Sequence, residues 1–326
     1  MKAKSVLVEE LKEQVLQDGA HIEQSVMYHQ IITSRLIELV DWHKKTGSAD
    51  PFFSQFIECT ATKMTDWLKT ISFKNGDIPL VNDSANGITF STSQLFSFAA
   101  TIQLPKPKNI SLHDCGYRKY AMNDYECVVD AGGITASWQP GHSHADALSF
   151  VLYYKNIPVI VDTGTSTYEA TERRAYERST TAHNTVTIND ASQYELWDIF
   201  RVGRRAGVKI IDETSSALTA YHTGYKKFKV IHKRTFSFGD KSIKISDDIA
   251  GPQKISAKSY LHFHPDCIVK KEKENIIVDG VVISLRGAEQ AEIKSYKFAS
   301  GFNAYMDGQV LAVAFGKHLE TSIYFL

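Results

Sequence analysis

The 326-residue chain is short of several things, and each shortage closes off a class of protein. It has only four cysteines, Cys59, Cys115, Cys127 and Cys267, and no two of them form a CxxC pair. A thiolate zinc site or a dithiol redox motif is therefore not expected, and nothing demands disulfides. No apolar run approaches the roughly 18 residues that a membrane-spanning helix needs. The opening residues MKAKSVLVEE lack the uninterrupted apolar region of a signal peptide, so the chain as written reads as cytoplasmic. An excess of charge is missing too, since Lys+Arg and Asp+Glu stand at 37 each. There is no basic surplus for nucleic acid and no acidic tail, although a local basic cleft for an acidic ligand stays open. Internal repeats and low-complexity tracts are also absent.

What is there is an ordinary globular composition, 43% hydrophobic and 23% charged, long enough for a sizeable core and two domains. The period of the apolar residues predicts a helix over 5–17, with Leu7, Leu11, Val15 and Leu16 on one face and a stop at Asp18-Gly19. A second helix is expected over 22–45. Asp50-Pro51 opens a third, as N-cap and first-turn proline, with Phe53, Phe56, Ile57, Met64, Trp67, Leu68 and Ile71 as its stripe. A short fourth helix is expected over 94–102. Beyond Leu104-Pro-Lys-Pro-Lys108 the period changes to two. Short alternating segments separated by Gly, Asn and Asp follow, among them 126–131, 134–138, 148–154, 158–162, 185–189, 228–238, 242–247, 257–264, 280–285 and 310–315. The expected class is thus α+β, with a helical domain over 1–108 and a large antiparallel β-sandwich over 109–326.

One stretch carries the chemistry. Pro140-Gly-His-Ser-His-Ala-Asp146 sets His142, His144 and Asp146 within five residues, and Ala182-His183-Asn-Thr-Val186 supplies a third histidine at the head of a strand. Between them Val159-Ile-Val-Asp162 ends a buried run on a carboxylate. In a strand, His142 and His144 would project from one face. Imidazole nitrogens with an aspartate oxygen can hold zinc, giving His144, Asp162 and His183 as a ligand set with His142 beside them. A hydrogen-bonded surface pair is the plainer alternative, and spacing alone does not choose. A metal-binding cupin is a further alternative, but it would place a glutamate where Asp146 stands and would have no helices in front. Leu261-His-Phe-His-Pro265 reads as structural and Asn82-Asp83 as a turn. Arg173, Arg174 and Arg178 read as a solvated loop face or a basic rim.

Read together, Gly141–Phe150, Pro158–Gly164, Arg178–Val186 and Ile188–Gln193 resemble the heparinase II/III family of polysaccharide lyases, which includes alginate and oligoalginate lyases. Gln17–His29 is similar to that family's helical segment carrying a catalytic tyrosine. The resemblance implies an (α/α) toroid followed by the sandwich, with a cleft between for an acidic polysaccharide. It implies β-elimination at a uronate: the carboxylate is neutralised, the C5 proton is removed and the leaving O4 is protonated. Residue by residue, it makes Tyr28 the catalytic acid and leaves open that it is also the base, although a tyrosine on a helix is usually core. It makes His142 the histidine facing substrate, and His144, Asp162 and His183 the ligands of a structural zinc. Tyr168 and Arg178 would line the cleft.

The chain also departs from the pattern. The family carries an Asn-His pair well upstream of the tyrosine, whereas only 27 residues precede Tyr28 and none of them forms such a pair. His21 or His29 is a candidate substitute. The partial toroid suggests a fragment, a partner or homo-oligomer covering the exposed stripes, or a glycan-binding or assembly protein without efficient elimination. Related proteins are often periplasmic or secreted, which leaves the compartment open.

Overall fold

The ends of the helices are set by side chains that the sequence places there. The structure is a computed structural model that describes residues 2–47 and 50–326. Helix α1 (Lys2–Gln14) stops before the Asp18-Gly19 turn. Gly19 has φ +92° and packs so tightly that a Cβ would fall 2.4 Å from the Lys63 carbonyl oxygen, so no other residue serves there. Helix α2 (Val26–Thr46) starts at Ser25, whose Oγ accepts the Tyr28 N–H at 3.2 Å, and ends at Gly47 in the left-handed region. Helix α3 (Pro51–Ile71) is capped by Asp50, with the proline in its first turn. Helix α4 (Thr92–Thr101) opens on a capping box made by Ser91 and Gln94. A fifth helix, α5 (Glu172–Arg178), was not anticipated; Thr171 caps it.

The strands begin with β1 (Tyr117–Ala121), β2 (Tyr125–Asp130), β3 (Phe150–Tyr154) and β4 (Ile157–Ile160). Three short ones follow, β5 (Val186–Ile188), β6 (Leu196–Trp197) and β7 (Arg201–Val202). Then come β8 (Val208–Thr214), β9 (Ala217–His222), β10 (Ile231–Gly239), β11 (Ser242–Ala250) and β12 (Ala257–Phe263). The chain closes on β13 (Val269–Glu272), β14 (Asn275–Val278) and a long hairpin of β15 (Val281–Gly301) and β16 (Ala304–Phe325). Among the described residues, β6 and β7 pair by themselves and the other fourteen strands form one antiparallel sheet. Its main path runs β1-β2-β3-β4-β12-β16-β11-β10-β9-β8.

The stretch 134–138, expected as a strand, is a loop. Its Thr135 N–H is taken by the Gln24 side chain at 3.0 Å rather than by a neighbouring strand. The segment 140–149 is likewise a loop, so His142 and His144 do not share a strand face. Strands β8 and β9 lie where no strand was expected.

Strands β2 and β3 are buried on both faces, and their alternation sorts two cores. Val128 and Val151 face the helices, packing in one cluster with Met27, Ile37, Ile57, Trp67 and Leu68. Cys127, Val129, Phe150 and Leu152 face the other way, among Phe236, Ile245, Leu261, Phe263 and Phe315. Helices therefore cover one side of these strands, and the curled remainder of the sheet covers the other. Among the described residues no helix is long and apolar enough to cross a membrane.

Candidate active site

The site forms where the first turn of α2 docks on the turn at residues 82–84. Ser25 Oγ donates to the Asp83 carbonyl at 2.7 Å while capping its own helix. The Val26 N–H donates to Ser84 Oγ at 3.0 Å, so an otherwise orphaned helix-end donor is satisfied by the turn. Asn82 takes φ +53°, a conformation that asparagine tolerates. Its Oδ1 accepts the His144 N–H at 2.8 Å, and its Nδ2 donates to Tyr117 Oη at 2.8 Å and to the Gln24 carbonyl at 3.2 Å. One short turn thus fixes the helix that carries Tyr28 and the loop that carries the histidines.

Asp83 is the hub. Its Oδ2 lies 3.0 Å from His142 Nδ1 and its Oδ1 lies 2.8 Å from His144 Nε2. Arg174, fully buried on α5, grips the same carboxylate as a fork, with Nη2 at 2.7 Å. Burial alone would raise the Asp83 pKa, but hydrogen bonds from His142, His144 and Arg174 hold it far below the usual carboxylate range. This turn, expected to be no more than a turn, is the centre of the site. Arg174, expected on a solvated face, lies beneath it.

Above Asp83 the two halves of the chain meet. The Tyr28 and His142 rings are 4.1 Å apart, tilted by 32°. Tyr28 Oη lies 3.3 Å from Tyr168 Oη, and Phe200 packs edge-on against both Tyr168 and His142, at 5.2 and 6.2 Å. Glu23 Oε2 lies 3.4 Å from His142 Nε2. Burial pushes the Glu23 carboxyl up, partly offset by His142. Tyr28, His142 and Tyr168 therefore come together, joined by Glu23 and Asp83, which had not been singled out. Arg178 does not join them. It is buried and spans three carbonyls, those of Ser143, Asp198 and Ile199, at 3.3, 3.2 and 2.8 Å. His29 is also elsewhere: its Nδ1 accepts the His21 N–H at 3.2 Å and its Nε2–H donates to the Met64 carbonyl at 2.9 Å, inside the helical layer.

Behind His142 lies a buried polar group. His183 Nδ1 is 2.7 Å from Asp162 Oδ2, and the His144 and His183 rings are 5.3 Å apart. His144 is pulled down to about 4 by burial, against the pull of Asp83. For His183, burial lowers the pKa but the Asp162 carboxylate outweighs it and raises the value.

The residues upstream of 109 match the family model described as heparinase II/III N-terminus, over 1–108. The remainder matches the model described as heparinase II/III-like, C-terminal, over 104–324. The chain belongs to the heparinase II/III family. It is 23% identical over 284 residues to a heparin-sulfate lyase of Bacteroides stercoris, across 79% of this chain and 40% of that protein. Its fold is similar to a heparinase III gene product, with TM-score 0.78 and 17% identity over 100% of this chain and 55% of that one. It is also similar to heparan sulfate lyase HepC from Pedobacter heparinus, with TM-score 0.74 and 18% identity over 98% and 55%. The chain thus spans about half the length of these relatives. A few helices and a large curled antiparallel sheet are what it shares with them.

The zinc expected from the family can be tested against these side chains. Among the described residues, no three His, Cys, Asp or Glu side chains are placed to hold one ion together. The donor chemistry nevertheless fits. With Nε2–H given to Asp83, His144 is left with an Nδ1 lone pair, buried and without a partner among the described residues. His183 Nε2 and Asp146 Oδ2 are buried and unpartnered in the same way. A carboxylate behind each imidazole is the arrangement that orients a metal-binding histidine and raises its basicity.

Proposed function

We propose that the chain acts on an acidic, uronate-bearing polysaccharide of the glycosaminoglycan kind, breaking it by β-elimination. The observation that carries this reading is the meeting of the Tyr28 and His142 rings, with the Tyr28 hydroxyl beside Tyr168, across the junction between helices and sheet. In β-elimination one proton leaves C5, the C4–O4 bond breaks, a C4=C5 double bond forms and O4 is protonated. A group that takes the first proton and returns it to O4 ends as it began, and a phenol at the cleft wall does this through one oxygen. His142 is held by Asp83 on Nδ1, which leaves Nε2, with Glu23 3.4 Å away, as the nitrogen that can meet substrate. Tyr168 and Phe200 form an aromatic wall against which a sugar ring can rest. His144 and His183 would hold the zinc, with Asp146 Oδ2 as a further free donor, and Asp162, expected as a ligand, would orient His183 from behind. Bound there, the zinc would brace the wall behind His142.

A second reading has its own observation. Arg174, stacked on Tyr168 at 5.0 Å, is bound through both terminal nitrogens by Asp83, so this guanidinium is not free to neutralise a uronate carboxylate. A chain that binds glycan without breaking it would show the same site.

Product formation separates the two. Heparan sulfate, alginate and other uronate polymers incubated with the protein should yield an unsaturated product that absorbs in the ultraviolet. Tyr28→Phe should lower the rate by about 100-fold or more, the scale of a lost general acid or base. A Tyr28→Phe variant as fast as the wild type removes Tyr28 from the mechanism. Binding with no product from any polymer favours the second reading.

A further inference from the structure

Next to the site, on the far side of the β6–β7 hairpin, is a cavity of about 920 Å³. That is the size of a small-ligand pocket. The hairpin is a shared wall. Its Phe200 packs toward His142 and Tyr168, while Leu196, Trp197 and Asp198 face the cavity. Four cationic side chains line the cavity: Arg178, Arg204, Lys226 and Lys227. Two carboxylates oppose them, and both are engaged locally. Glu195 Oε2 accepts the Arg204 backbone N–H at 3.3 Å; Asp198 Oδ1 accepts the Ile199 N–H at 2.8 Å, and its Oδ2 lies 3.9 Å from Arg201.

Two further observations point to a ligand. Arg178 is only 1% exposed and its guanidinium meets carbonyl oxygens, with no carboxylate in contact; its Nε has no partner among the described residues. A buried cation whose nearest carboxylates, Asp83 and Asp198, act on it without touching it is costly, and an anion entering the cavity would offset part of that cost. Trp197 is 51% exposed with the Arg201 guanidinium 4.7 Å over its ring. A large indole held open by a cation offers an apolar face to the C–H face of a sugar.

We propose that this cavity is a second subsite for an acidic oligosaccharide. Arg204, Lys226 and Lys227 contact a sulfate or carboxylate there, and Trp197 meets the sugar ring. The subsite rests on the acidic-glycan reading above for its ligand, but not on bond cleavage. Arg178 joins the two places, because the guanidinium at the cavity wall also holds the carbonyl of Ser143, between His142 and His144.

The test is binding by the full chain carrying Tyr28→Phe, titrated calorimetrically with a sulfated uronate hexasaccharide and with its desulfated counterpart. Lys226 and Lys227 are exposed, so Lys226→Glu/Lys227→Glu should fold as the parent does, which its melting temperature checks. The double variant should bind about tenfold more weakly or worse, with a shallower salt dependence. Trp197→Ala should weaken binding without changing that salt dependence. A stronger grip on the sulfated probe assigns the anion as sulfate, and equal grip assigns it as carboxylate. A double variant that binds as tightly as its parent overturns the subsite, as does a parent that binds neither probe. Elimination is read separately with the unsubstituted chain. Binding through Lys226 and Lys227 without unsaturated product would sink cleavage and leave the subsite standing. Product formation with unchanged binding in the double variant would do the reverse.

Discussion

Asp83 shows how much one residue can organise. Its two oxygens answer His142, His144 and Arg174, and each bond does something different. The bond to His142 engages Nδ1 and leaves Nε2 available. The bond to His144 fixes which nitrogen is left for a metal, and the Arg174 fork keeps the carboxylate charged in a place where burial alone would protonate it. For the proposed zinc set, the expected outcome is about one zinc per purified chain, lost in His144→Ala. Elemental analysis of the two proteins checks it, and a variant that keeps its zinc would sink the set. The histidines were legible in the sequence because their chemistry is local: two of them stand two residues apart and the third heads a strand. Asp83 was not legible. Its partners lie 59, 61 and 91 positions away, and nothing around it distinguishes it from a turn aspartate. Arg174 and Arg178 were misplaced for the same reason, since a cation is expected in solvent unless its distant partner is known.

At the scale of elements, caps were the most legible feature. Asp50-Pro51 sits where α3 begins, because a cap is a contact between residues three apart; the same local signal, Ser91 with Gln94, was passed over at α4, whose start was expected at 94. The second helix begins at Val26 rather than near 22 because Ser25 takes the cap and the residues before it make the turn onto residues 82–84. The long β15–β16 hairpin was only glimpsed. Its middle, Arg286–Gln290, is exposed on both faces, so the alternation that marks a half-buried strand is lost. The start of α2 carries a pH prediction. His29 Nδ1 accepts one hydrogen bond and Nε2–H donates another, so the fold holds the ring neutral. Burial lowers its pKa from 6.5 to about 3. Between those values the unfolded chain takes up a proton that the folded chain refuses. Stability contributed by this group is complete above 6.5 and falls with pH below it, by about 1.4 kcal/mol per unit. His29→Gln should flatten the acid limb by that one proton, while His21, His144 and His262, lowered in the same direction, keep a slope. Unfolding free energies measured from about pH 7 to about pH 4 check it. Equal slopes in the two proteins would refute the assignment.

The whole molecule is organised by a core that ignores the change of period near residue 108. Trp67, from α3, is buried in one cluster with Val128, Val151 and Val161 from the sheet side and Phe298 and Val310 from the long hairpin. Its Nε1–H donates to Cys115 Sγ at 3.4 Å, just ahead of the first strand. Asp18 adds a polar tie, with Oδ2 accepting the N–H groups of His113, Asp114 and Cys115 at 3.2, 3.1 and 3.3 Å. Helices and sheet therefore bury each other, and the Tyr28–His142 contact depends on that cohesion. The sheet keeps a second apolar cluster of its own, but β2 and β3 belong to both cores, so opening the interface bares one face of the strands that close the other core, and the two should unfold together. Trp67→Ala removes the largest side chain at the junction and should cost roughly 3–5 kcal/mol. In a calorimetric scan the expected outcome is a single transition that moves to lower temperature as a whole. Two transitions, with only the first displaced by the substitution, would show that the helical layer unfolds by itself and that the sheet holds His142 without it.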